Sequence, residues 1–138
     1  MNNVTLDNVY AQSIGAHIAQ LAEELAGLEA IAGERHLSQY EYRAAERGLQ
    51  LLIEATIGIA RRVLRAQGLA MPLEARDAFT KLRLSGLDTT TVEWNKVVGM
   101  RNALVHDYLN LDPERIVEVL RNGKYRALLD FCDQFLTH

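Results

Sequence analysis

Two stretches of this chain repeat apolar residues at helical spacing for far longer than an average helix of about 11–12 residues, and only a short connection separates them. Tyr10, Ile14, Ile18, Leu21, Leu25 and Leu28 recur at three- and four-residue steps, which at roughly 100° per residue share one face of an α-helix. The spacing predicts a helix over 7–32, with Gly33 stopping it. Ser38 then has Glu41 three residues on, the spacing of a capping box, with Leu37 and Tyr42 placed as a hydrophobic staple. A second helix is expected from there to Gln67, ended by Gly68. Long helices joined by so short a turn lie antiparallel. The fold class expected is therefore all-α: an antiparallel bundle of about five helices built on a long helical hairpin.

In the second helix Leu49, Leu52, Ile53, Ile57, Ile59 and Val63 cover more than one face, so burial on two sides is expected, one within the bundle and one available as a dimer seam. Pro72 is expected to open a shorter helix through Leu84, closed by Ser85-Gly86. Thr90 and Glu93 repeat the capping-box spacing ahead of a helix beginning near Thr91. Asp112-Pro113 gives an N-cap and a proline at the first helical position. A last helix, or a pair broken near Asn122-Gly123, returns Ile116, Val119, Leu120, Tyr125, Leu128, Leu129, Cys132 and Phe135 to the core.

The 138 residues suit one domain, 1–138, and 49% hydrophobic content with two prolines argues for a packed helical protein rather than disorder. A net charge of -3 means that any nucleic-acid contact has to use local basic patches. The single cysteine, Cys132, excludes an intrachain disulfide and falls on an apolar stripe, as a buried thiol would. No Cys/His cluster has zinc spacing. The start lacks the pattern of a signal peptide and no apolar run reaches the length of a bilayer span, so no membrane partner and a cytoplasmic location are expected.

Chemistry is concentrated in Arg101-Asn102-Ala103-Leu104-Val105-His106-Asp107-Tyr108. At helical spacing Arg101 shares a face with Trp94, Val97, Val98, Leu104, Val105 and Tyr108, so a permanent charge falls within an apolar stripe. A buried unpaired charge costs several kcal/mol, comparable with a small domain's whole stability. Arg101 therefore needs a carboxylate, a phosphate or another subunit. Glu54, inside the apolar run of the second helix, is the candidate carboxylate for a supporting ion pair; pairing of Glu54 with Arg61 or Arg47 is the alternative. Asn102 and His106, four apart, flank the same semicircle. An imidazole can exchange a proton near neutral pH, a guanidinium can neutralise phosphoryl oxygens, and an amide can donate to a non-bridging oxygen.

The pattern of arginine, a polar residue, three small or apolar residues, histidine, any residue and tyrosine, late in a small all-helical chain, resembles the signature of the HEPN superfamily. It is most similar to the HepT-like toxins that pair with minimal nucleotidyltransferase antitoxins. The resemblance runs from about Tyr40 to the C-terminus and includes Gly99-Met100 and Asp112-Pro113-Glu114. It implies a homodimeric, metal-independent endoribonuclease with no cofactor. Arg101 and His106 would act in a composite site at the dimer interface, with Asn102 at the polar position. Tyr108 matches the tyrosine that the nucleotidyltransferase AMPylates to silence the toxin. The family pattern carries an acidic residue near position 58, where this chain has Gly58.

RNA brings its own nucleophile, the 2′-hydroxyl, so a site that moves protons and offsets charge can cut it without a metal. RNA and the nucleotidyltransferase are thus the expected partners, and DNA is not. His106 would move the proton, and Arg101 and Asn102 would stabilise the phosphorane, leaving a 2′,3′-cyclic phosphate and a 5′-hydroxyl. One histidine per chain supplies one proton carrier, and a two-fold dimer would supply the second. Arg43 with Arg47, and Arg61, Arg62 and Arg65, are either RNA-facing groups or a solvated face. Tyr108 alone would read as a core tyrosine with a surface hydroxyl. The alternative function is a noncatalytic dimeric partner that presents itself as substrate to a nucleotidyltransferase.

Overall fold

The structure is a computed structural model that describes residues 6–136; the outermost residues of the expected domain, 1–5 and 137–138, lie outside the described residues. The described residues form six α-helices and no strand: α1 (Asn8–Glu34), α2 (Gln39–Ala66), α3 (Ala75–Leu84), α4 (Trp94–His106), α5 (Pro113–Arg121) and α6 (Arg126–Leu136). A 3-10 turn at Tyr108–Asn110 links α4 to α5. The C-terminal segment is thus a pair of helices, broken at Gly123, whose φ of 64° requires a residue without a Cβ.

The corner between α1 and α2 is sealed by local chemistry. Ser38 and Glu41 form the reciprocal capping box, with the Ser38 amide donating to Glu41 Oε1 at 2.8 Å and the Glu41 amide to Ser38 Oγ at 3.1 Å. Arg35 adds a two-pronged contact to the same carboxylate at 2.8 and 2.9 Å. Chiefly through Arg35, and then through the Ser38 amide, the Glu41 carboxyl is held down at about 2. Helix α1 runs through Gly33 and stops at Glu34. A glycine inside a helix costs only about 1 kcal/mol, and here the extended backbone of Arg35 ends the helix instead.

Helix α2 is the axis of the molecule and touches every other α-helix. Leu49, Leu52, Ile59, Val63 and Leu64 are almost wholly buried, and each such side chain contributes about 1.5–3 kcal/mol through removal from water. Both apolar sides expected of this helix are therefore covered by its own chain, leaving neither as a dimer seam. Cys132 is buried and meets the Thr56 hydroxyl at 3.4 Å, and burial pushes its thiol up to about 11.

Two helix starts differ from the sequence reading. Helix α3 begins at Ala75, three residues beyond Pro72, and Glu74 gives it no side-chain cap. Helix α4 begins at Trp94, and the Thr90–Glu93 capping box does not form. Thr90 is engaged elsewhere, its amide and hydroxyl donating to Asp88 Oδ1 at 2.9 and 2.6 Å. Asp88, 4% exposed, also accepts from Trp94 Nε1 at 2.8 Å and pairs with Arg83 at 2.9 Å. The Trp94 ring lies parallel on Phe79, 3.8 Å between centroids, with its edge toward Phe131. A buried carboxylate must be satisfied, and this one draws the whole approach to α4 around itself.

Candidate active site at the end of α4

Helix α4 keeps Asn102 and His106 one turn apart on one face, with Arg101 and Val105 as the adjacent row. Arg101 and Asn102 are half-buried, whereas Val105 and His106 are exposed. Arg101 Nε donates to Asn102 Oδ1 at 2.9 Å. The amide therefore takes one guanidinium N–H and fixes its plane, and among the described residues Arg101 makes no ion pair. The remaining N–H groups form the fork that suits a phosphate.

The ion pair expected between Arg101 and Glu54 is not formed. Glu54 is exposed, on the strip of α2 that also leaves Tyr40, Arg43 and Arg47 in solvent. Arg101 does not need it, because half-burial leaves the guanidinium its water and Asn102 supplies an acceptor. Of the other arginines of α2, Arg61 donates to the Leu73 carbonyl at 2.9 Å and Arg62 lies 3.8 Å over the Tyr10 ring, so both serve the fold. Arg43 and Arg47 remain exposed. Gly58 lies against Tyr10, whose hydroxyl would stand 3.4 Å from a Cβ there.

Tyr108 does not continue the helical face of Arg101. Asp107, with φ -136° and ψ 37°, takes the chain out of the helix, and its carboxylate accepts from Asn110 Nδ2 at 2.8 Å to close the 3-10 turn. The turn aims the phenol at α2, where Tyr108 Oη donates to Glu46 Oε1 at 3.2 Å while the side chain stays 49% exposed. Glu46 is 7% exposed. The same carboxylate acts on Tyr42, whose phenol is pushed above its ordinary range by burial first and then by its hydrogen bond to Glu46.

Glu46 was not singled out by the sequence, because its partner lies 62 residues away and no local spacing marks the pair. Arg76, exposed on α3, has Nη2 3.7 Å from where a Cβ at Gly99 would stand, one turn from Asn102 along α4. Among the described residues no group of three or more His, Cys, Asp or Glu side chains could hold a metal ion. None of the described helices is long and apolar enough to cross a membrane.

An all-α bundle with an arginine, an amide and a histidine at the end of one helix, and a tyrosine in the turn that follows, defines a class of small helical proteins with a polar site there. The family described as Ribonuclease HepT-like matches residues 14–135, and the chain belongs to it. An mRNA nuclease HepT of Shewanella oneidensis is 41% identical over 76 residues, which cover 54% of this chain and 57% of that protein's length. Two solved structures share the fold, each with a TM-score of 0.77 and 27% identity over 96% of this chain. One is a toxin-antitoxin with AMP-PNP, covered over 98% of its chain. The other is a tri-AMPylated HEPN toxin of Shewanella oneidensis in complex with an MNT antitoxin, covered over 96%.

Proposed function

We propose that this chain is the toxin of a toxin-antitoxin pair, of the type in which the antitoxin modifies the toxin covalently. It is a metal-independent RNA endonuclease, working in the cytoplasm as a homodimer and silenced when a cognate minimal nucleotidyltransferase AMPylates Tyr108. The observation that carries this reading is the Arg101–Asn102 pair. It holds a guanidinium that has no ion-pair partner among the described residues beside an exposed His106, in a chain of the Ribonuclease HepT-like family.

The chemistry follows from these groups. His106 takes the proton of a 2′-hydroxyl or gives one to the departing 5′-oxygen. Arg101 and Asn102 are aimed at the phosphoryl oxygens where charge develops, the largest contribution in many such sites. The second imidazole comes from the other protomer. Exposed Val105 and Leu109, 43% and 93% accessible, supply apolar surface for self-association beside His106. Cleavage leaves a 2′,3′-cyclic phosphate and a 5′-hydroxyl. An AMP group on Tyr108 adds negative charge and bulk where RNA must bind.

Expression in a bacterial host tests the reading. Wild type should arrest growth, His106→Ala should not although it folds and dimerises, and co-expressed nucleotidyltransferase should rescue growth from wild type but not from Tyr108→Phe. Growth indifferent to wild type and variant alike would favour the noncatalytic partner instead.

A further inference from the structure

We propose that Glu46 is the proton acceptor for nucleotidyl transfer to Tyr108, so that the toxin carries part of the machinery of its own silencing. The inference rests on the reading of Tyr108 as the modified residue. It deepens that reading by naming a catalytic group on the substrate side of the reaction.

The buried acidic side chains among the described residues are Asp88 and Glu46. Asp88 has Arg83, the indole of Trp94 and Thr90 around it, a fully satisfied structural site. Glu46 forms no ion pair among the described residues; its partners are the phenols of Tyr108 and Tyr42. A carboxylate taken out of water, with no ion-pair partner among the described residues and aimed at a hydroxyl, is placed to receive that hydroxyl's proton.

The other tyrosines sharpen the assignment. Tyr125 also donates to a carboxylate, Glu29 at 2.6 Å, but Tyr125 is 2% exposed and Glu29 is shared with Arg126. Tyr40 is 73% exposed and Tyr10 lies under Arg62, neither with a carboxylate on its hydroxyl among the described residues. Tyr42 shares the Glu46 carboxylate but is itself partly buried, so Tyr108 alone combines an exposed side chain with a seated carboxylate.

The step balances without another group on this chain. The Tyr108 phenolic oxygen attacks the α-phosphorus of a nucleoside triphosphate held by the partner enzyme, and its proton passes along the existing hydrogen bond to Glu46 Oε1. The bond from the α-phosphorus to the bridging oxygen breaks, and pyrophosphate leaves with the electron pair. Any later transfer onto the first nucleotide has a different nucleophile, so Glu46 governs the first addition only.

The experiment follows intact mass during incubation of the full chain with ATP, magnesium and a minimal nucleotidyltransferase, using wild type, Glu46→Gln, Glu46→Asp and Tyr108→Phe. For Glu46→Gln, kcat of the first addition should fall about 100-fold, within the range of a lost general base, with KM for the toxin and RNA cleavage by the unmodified protein unchanged. Glu46→Asp, which keeps the charge but draws it back, should fall between and stand in if the glutamine variant does not fold. First addition to Glu46→Gln at the wild-type kcat, or a raised KM with kcat intact, would overturn the assignment. Absence of modification on wild type would instead overturn the reading of Tyr108 itself.

Discussion

The two ends of α4 are built on opposite principles. At its start the buried polar groups are satisfied: Trp94 is stacked on Phe79, its indole N–H is bonded to Asp88, and Asp88 is surrounded by Arg83 and Thr90. At the other end of the same 13-residue helix, the guanidinium of Arg101 is only partly engaged, His106 is in solvent, and Val105 and Leu109 expose apolar surface. One helix thus carries a rigid root and an open tip. A site held by packing at one end can leave its reactive groups unsatisfied at the other, which is how precise geometry and binding capacity coexist in a small domain.

That contrast predicts a division of mutational effects. His106→Ala should lower RNA cleavage by about 10²–10⁴-fold, the range for loss of a proton carrier, with the urea midpoint unmoved. Trp94→Ala should do the reverse. It should cost about 3–5 kcal/mol of stability, read as a lower urea midpoint, while the fraction still folded keeps its cleavage rate. A Trp94 variant that stays stable but loses activity would break the comparison. Asp88→Ala should cost about 1–3 kcal/mol by stranding the indole and Thr90 donors, again seen in denaturation. Leu109→Asp, at a site 93% exposed, should change monomer stability by no more than about 0.5 kcal/mol yet weaken self-association in analytical ultracentrifugation.

What the sequence revealed follows the same line. The capping box at Ser38 and Glu41, the proline start of α5 and the helical hairpin are short-range devices, and all are present. That Arg101, Asn102 and His106 lie together on one helix was legible from local spacing. Glu54 was misplaced because an apolar run shows that a helix is buried, not which strip stays open; heptad spacing puts Glu54 with Tyr40 and Arg47 on the open one. Tyr108 was expected on the face of Arg101, but Asp107 breaks the helix first. Glu46 and Asp88 escaped notice because their meaning lies in partners brought by tertiary packing, and the misread start of α4 is the consequence of Asp88.

The most direct measurement is cleavage of a labelled RNA pool in EDTA by purified protein shown by mass to be unmodified at Tyr108, with Arg101→Ala and His106→Ala alongside. Cutting by wild type alone, with 2′,3′-cyclic phosphate and 5′-hydroxyl ends, is the predicted result. No cutting by folded, dimeric, unmodified wild type, or equal cutting by all three proteins, would contradict the account.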